Sequence, residues 1–187
     1  MSNPRSWSVV VSQYQGWFNQ RWVRRTGLIL CWAFLVMWGI SPWYQISLRV
    51  DESFPSHYLF FIDHQRAPHR GDLASFVMPS FAKDRVKPEG IDRPYLRIGD
   101  LWMKRVVGVP GDRVEIQGLQ VLINGTVVGE SVVLDRAQQP ISLADFPQVI
   151  PPGFVYLSLE TNPRSFDSRY LGLLPSSILE GVVTPLI

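Results

Sequence analysis

A mainly β domain carried on a single N-terminal transmembrane helix is the architecture that this 187-residue sequence predicts. Three observations predict it. One uncharged stretch, Gly27 to Leu48, is long and apolar enough to cross a bilayer, which takes about 20 residues. Beyond Val50 the apolar residues fall into short runs of β type, separated by Pro and Gly. Charge is divided just as sharply: Arg5, Arg21, Arg24, Arg25 and Arg49 are the only charged side chains before Asp51. Without those five, the 18 basic residues are outnumbered by the 16 acidic ones. The formal charge of +2 therefore belongs to the N-terminal part and not to a basic groove, and no nucleic-acid partner is expected.

In chain order, residues 1–26 are rich in aromatics, with Val11, Tyr14, Phe18 and Trp22 on one helical face. Six of the seven tryptophans lie at or before Trp43, and tryptophan favours the membrane–water interface. Residues 1–26 are expected to form an amphipathic tail on the cytoplasmic surface of the bilayer. Residues 27–48 are expected to be the anchor, with Pro42 near its outer end. Arginines before the span put the N-terminus in the cytoplasm, and residues 49–187 on the far side of the membrane. A cleaved signal peptide is disfavoured, because no small-x-small site follows the apolar core. Cys31, the only cysteine, sits in that core as a small hydrophobe.

The strands expected after the anchor are Tyr58–Ile62, Leu73–Met78, Asp100–Val107, Arg113–Ile116, Leu119–Ile123, Thr126–Val128, Phe154–Leu159 and a last one near Val182. Asn124-Gly125 is a hairpin turn signal. Residues 79–96 have no periodicity and are expected to be an excursion on the core. The stretch 131–148 is polar and irregular.

The stretch Trp102-Met103-Lys104-Arg105-Val106-Val107-Gly108-Val109-Pro110-Gly111-Asp112 holds the most informative residue. On a strand, Trp102, Lys104 and Val106 share one face, and Met103, Arg105 and Val107 the other. An ammonium on a half-buried apolar face is costly, and lowering its pKa relieves that cost. A neutral lysine is a general base for a serine hydroxyl. The plain alternative is a lysine whose head reaches solvent.

Two further pieces accompany it. Ser53 follows the apolar span in Glu52-Ser53-Phe54-Pro55, and Ser165 and Asp167 lie in Ser165-Phe166-Asp167-Ser168-Arg169-Tyr170-Leu171-Gly172. Together these resemble the type I signal peptidases, membrane-bound serine endopeptidases with a Ser-Lys dyad. Met103 to Asp112 is similar to their lysine box, and Ser165 to Gly172 to their C-terminal box. Arg70-Gly71-Asp72-Leu73 and Ile123-Asn124-Gly125 fit weaker family positions. Proline two residues after Ser53 resembles the conjugative-transfer branch, which matures plasmid pilins, with Phe54 where Met is usual.

The resemblance implies a signal-peptidase-like all-β catalytic domain with Ser53 as nucleophile and Lys104 as base. It implies that Ser165 orients the lysine amine, and that Asp167 holds its turn by pairing with Arg105 or Arg169. It also implies a membrane-inserted, pilin-like precursor as partner, beside the lipid bilayer and other proteins of the conjugation machinery. No cofactor or metal is implied. One departure stands out: Asp51 occupies the position two before the nucleophile, where a hydroxyl oxyanion donor is usual, and a carboxylate cannot serve there.

Other readings stay open at this point. One is a general signal peptidase removing leader peptides. Another is a Ser-His-Asp site from Ser53, His57 and Asp63, which leaves the lysine box unexplained. His57, His64 and His69 match no metal-ligand spacing. From another class comes a non-catalytic, membrane-anchored component of a pilus or secretion assembly, against which the intact Ser53 and Lys104 argue.

Overall fold

Short apolar runs become sheet in the computed structural model, which describes residues 20–48, 59–159 and 162–186. The chain divides into two units, Met1–Pro42 and Trp43–Ile187.

In the first unit, helix α1 runs Gln20–Ile40. Its stretch Trp22–Ile40 is 19 residues, which at 1.5 Å per residue is about 28 Å, close to the hydrocarbon thickness of a bilayer. Leu28, Ile29 and Leu30 are 71%, 66% and 70% exposed, and consecutive helical residues point about 100° apart. An apolar helix of this length with its side chains exposed is suited to anchor the chain in a membrane. Its limits differ from the expected 27–48. The helix starts earlier, because Gln20 to Arg25 are compatible with helix although charged. It ends at Ile40, because Pro42 cannot continue it and disfavours helix at Ser41. The amphipathic tail expected over 1–26 lies, up to residue 19, outside the described residues, and Gln20 to Thr26 belong to α1.

Tyr44–Leu48, expected inside the anchor, is instead strand β1. It opens the second unit and pairs antiparallel with β2 (Leu59–Asp63), from Tyr44 opposite Asp63 to Leu48 opposite Leu59. The sequence Tyr-Gln-Ile-Ser-Leu alternates apolar and polar, a period that fits a strand and not a helix. Tyr44 stacks on Phe61 with ring centres 5.4 Å apart.

The remaining strands are β3 (Leu73–Val77), β4 (Leu101–Gly108), β5 (Val114–Gln117), β6 (Gln120–Ile123), β7 (Thr126–Glu130), β8 (Phe154–Ser158), β9 (Leu174–Pro175) and β10 (Leu179–Pro185). Seven form one sheet in the order β1-β2-β10-β3-β4-β8-β9, and β5-β6-β7 form a second. The last strand therefore inserts between β2 and β3. Among the described residues the unit also has two one-turn α-helices, α2 (Ala82–Arg85) in the excursion and α3 (Ser168–Leu171) after β8, and a 3-10 turn at Ser176–Ile178.

Period-two alternation sorts the core. Ala74 pairs with Lys104 and Phe76 with Trp102, so these point to one face, where Ala74, Phe76, Val106 and Leu157 are buried with Phe166 and Tyr170. The opposite face buries Leu73 and Met103 with Phe60, Ile62 and Val183. A bulge between β4 and β8 leaves Val107 extra, with Val106 opposite Leu157 and Gly108 opposite Tyr156. Val107 thereby joins a third cluster with Val114, Val121, Ile123 and Tyr156. Gly108 is required there, since a Cβ would stand 2.7 Å from Ile150 Cδ1 and 2.9 Å from Tyr156 Cβ.

The turn after β4 is tied by Asp112, whose carboxylate accepts from Val109 N at 2.8 Å, Asn124 Nδ2 at 2.8 Å and Arg70 Nη2 at 2.6 Å. Burial works to raise its pKa, but these hydrogen bonds and the Arg70 charge outweigh it and hold the carboxyl below its ordinary 3.8. A folded value below the unfolded one means stability that is intact above the unfolded pKa and lost as pH falls through the folded one. Asp112→Asn is expected to destabilise the protein by about 1–2 kcal/mol at pH 7. In denaturant titrations of the detergent-solubilised protein, that difference should shrink toward pH 3. An equal difference at both pH values would show that the carboxylate charge plays no part.

Candidate active site

Lys104 sits in mid-β4, only 3% exposed, between Trp102 and Val106 on the face predicted by strand periodicity. Its Nζ donates to Ser165 Oγ at 2.8 Å, across 61 residues of chain. The ammonium position lies 5.4 Å from the centre of the Trp102 ring. β4 is held on both sides, by β3 and β8. The Gly-Asp segment adds a clamp past the lysine: Gly71 N donates to Val106 O at 2.7 Å and Val106 N to Asp72 O at 2.9 Å.

Ser165 comes from the loop between β8 and α3. Its amide donates to Asn162 O at 2.9 Å. Asp167 is the N-cap of α3, in an extended conformation, and accepts from the Arg169 amide at 3.1 Å. Its two oxygens also take a bidentate pair from Arg169, Nε at 2.9 Å and Nη2 at 2.8 Å. Both side chains are fully buried, so their charges persist only because the remaining groups are satisfied. Arg169 donates further to Asn162 O at 2.8 Å, Ser165 O at 3.0 Å, Pro163 O at 3.3 Å and Glu130 O. Asp167 Oδ2 also accepts from Leu159 N at 3.2 Å. Burial pulls the Arg169 pKa down, but the hydrogen bond and charge of Asp167 more than offset it, and the guanidinium stays protonated. The arginine thus stitches the loop carrying Ser165 to the end of β7, and it passes over Gly129, where a Cβ would stand 3.2 Å from Arg169 Cδ.

Of the two pairings left open for Asp167, the structure makes the one with Arg169. Arg105, the other expected supporting residue, is exposed on the other face of β4 from Lys104, and its Nη1 donates to Gly71 O. The cause is the strand period, which turns neighbours in sequence to opposite sides.

Two serines unassigned by sequence reasoning also belong to this network. Ser168 Oγ accepts from Leu157 N at 2.9 Å, joining α3 to β8. Ser158 Oγ lies 3.3 Å from Asp167 Oδ2 and 3.3 Å from Val128 O. The available signal for Ser158 was a small polar residue at the end of an apolar strand.

Ser53, Asp51 and His57 lie outside the described residues. His64 Nδ1 is 3.0 Å from Glu180 O, and His69 Nδ1 is 3.9 Å from Asp72 Oδ2, so the two histidines serve separate local contacts.

Comparison with known proteins gives the family of the chain. The model of the family described as signal peptidase, peptidase S26, matches residues 19–187. The chain is 32% identical over 173 residues to the conjugal transfer protein TraF of Agrobacterium fabrum, covering 88% of this chain and 93% of that one. It is 28% identical to signal peptidase I of Leptolyngbya laminosa over 63% of this chain and 52% of that protein, so it spans about half that relative's length. A solved signal peptidase I from Enterococcus faecalis V583 is 27% identical, covering 64% of this chain and 98% of that one, with a TM-score of 0.39. A match extending over residues 19–187 makes this chain a member of the signal peptidase family, peptidase S26, and so a signal peptidase I-like serine protease.

Proposed function

We propose that the protein is a membrane-anchored Ser-Lys endopeptidase that processes a membrane-inserted, pilin-like precursor of a conjugation system. The observation that carries the reading is the buried Lys104 amine, 2.8 Å from Ser165 Oγ. The reading requires this amine to be neutral when it acts, since only a neutral amine accepts a proton.

In this reading, neutral Lys104 takes the proton of Ser53 Oγ as that oxygen bonds to the scissile carbonyl carbon. The same amine then protonates the departing amine as the peptide C–N bond breaks, leaving an acyl-enzyme. Ser165 keeps the Lys104 amine pointed at the reacting atoms, and the Ser53 N–H donates to the oxyanion. Asp167 and Arg169 hold the Ser165 loop. The acyl group passes to water, giving hydrolysis, or to the substrate's own N-terminal amine, giving a cyclic product. The helix α1 spans the inner membrane once, with the arginines at its N-terminal end in the cytoplasm and residues 43–187 in the periplasm.

The conjugative substrate is supported by two features. The chain covers 93% of a conjugal transfer protein, and proline follows Ser53 at the shorter, conjugative spacing. Similarity to a signal peptidase I favours the second reading, removal of leader peptides from general secreted proteins.

The deciding experiment is mass spectrometry of the candidate pilin in cells with and without the protein. The expected result is a pilin that stays uncut without it. Loss of a water mass from the mature pilin would indicate cyclisation. Normal pilin maturation together with accumulated precursors of general secreted proteins would overturn the conjugative reading in favour of the second.

A further inference from the structure

Residues 79–100 leave the sheet between β3 and β4, and their base is pinned by Met78 N to Asp100 O at 2.9 Å and Gly99 N to Met78 O at 3.0 Å. Between those points the excursion buries Ala82, Val86 and Leu96 on the lysine face of the sheet. It is locked by a second ion pair. Arg93 and Asp135 are each 6% exposed, with Arg93 Nε 3.4 Å from Asp135 Oδ2. The Arg93 Nη2 also donates to Pro140 O at 2.9 Å and Lys87 O at 3.3 Å, joining the excursion to the 131–148 segment. Asp135 Oδ1 accepts from Ala137 N and Gln139 N, at 2.8 and 2.9 Å.

The remaining partner of that carboxylate is Tyr95, whose hydroxyl donates to Asp135 Oδ2 at 2.5 Å. Its ring meets Phe166 edge-on, with centres 5.6 Å apart. Phe166 follows Ser165 directly and is enclosed by two more rings, Trp102 at 6.3 Å and Tyr170 at 5.6 Å. Trp102 shares the strand of Lys104, and Tyr170 belongs to the same turn as Ser165. Tyr95 is therefore the one ring of the three that the excursion supplies. Beside it is a space of about 20 Å³, bordered by Val132, Ile141 and Tyr170, into which Phe166 could shift once that ring is gone.

We infer that Tyr95, held by Asp135 and Arg93, is a positioning residue for the general base, acting through Phe166 on the Ser165 hydroxyl that orients the Lys104 amine. The inference rests on the proposed Ser-Lys mechanism. The excursion is, in this view, a buttress that completes the site from outside the two boxes. Aromatic edge contacts are directional and the enclosing rings are packed, so displacement of Phe166 carries Ser165 with it. Burial and the bond to Asp135 raise the Tyr95 pKa, which keeps the hydroxyl a donor through the alkaline range where the lysine works.

The test uses the full chain in detergent and an internally quenched peptide with alanine immediately before the cut and two residues earlier. Tyr95→Ala is expected to lower kcat about tenfold with KM unchanged, measured well below its own Tm. Tyr95→Phe restores the ring edge against Phe166 without the bond to Asp135, and should recover part of the lost kcat. The effect should also vanish in a Ser165→Ala background, because two residues acting through one path are not additive. If Tyr95→Ala fails to fold, Tyr95→Leu takes its place, keeping apolar volume without the ring edge. A kcat equal to the parent, or a loss of the same factor with and without Ser165, overturns the inference. Should Ser165→Ala fall below detection, the kcat–KM split and the phenylalanine rescue decide it. Lys104→Ala in the same assay separates the two levels. Its inactivity upholds the mechanism whatever Tyr95 does, and cleavage at the parental rate would remove the mechanism itself.

Discussion

Lys104→Arg is expected to leave the enzyme without measurable cleavage, a fall of roughly 10³-fold or more, the range for loss of a positioned general base. The guanidinium stays protonated at every working pH and cannot accept the serine proton. It is also larger than the amine in a place only 3% exposed, beside a Ser165 Oγ placed for a single ammonium-sized donor. The parent enzyme should gain activity as pH rises through the mildly alkaline range, since only the amine that has lost its proton is a base. Peptide cleavage followed from pH 6 to 10 tests both statements. Residual activity of the arginine variant within tenfold of the parent would eliminate Lys104 as the base.

The second large effect is on stability. Arg169→Ala strips Asp167 of its bidentate partner where both are fully buried, and breaking such a pair from one side costs about 3–5 kcal/mol. It also takes the guanidinium donor from the carbonyls of Ser165 and Glu130, and from that of Asn162, which keeps the Ser165 amide. Arg169→Lys should recover little, because an ammonium cannot bridge both carboxylate oxygens and those carbonyls together. Urea titration of the solubilised protein gives the measurement. A change under 1 kcal/mol for the alanine variant would show that the Ser165 loop is held by something else. The arginine variant of Lys104 should meanwhile unfold as a cooperative unit, so the two experiments report on different properties of one site.

The legible parts of the fold were those governed by short-range periodicity. Alternation along β4 was enough to set Lys104 with Trp102 and Val106 and to turn Arg105 away, because a strand has a period of two wherever it lies. Asn124-Gly125 marked its hairpin because both residues tolerate the positive φ, 51° and 80°, that the turn adopts. The boundary between α1 and β1 was not legible from apolar content, since the uncharged stretch from Gly27 to Leu48 runs through the end of one element and all of the other. Pro42 and the alternation of Tyr44 to Leu48 carried that information, and the sheet used it by pairing β1 with β2.

By itself, then, the sequence determined the elements and the chemical types available: an apolar helix, short strands, a lysine on an apolar strand face, and a Ser-Phe-Asp-Ser-Arg turn. Only the tertiary structure decided which of them meet. Asp167 could have taken either arginine, and the choice of Arg169 followed from the side of the sheet on which α3 packs. Lys104 reached Ser165 through strand pairing across 61 residues, and Tyr95 reached Phe166 because Arg93 and Asp135 fold the excursion onto the same face. Local pattern is set by backbone geometry that each residue experiences alone. Long-range juxtaposition is set by how buried faces and buried charges are jointly satisfied, and no single stretch of the chain contains that information.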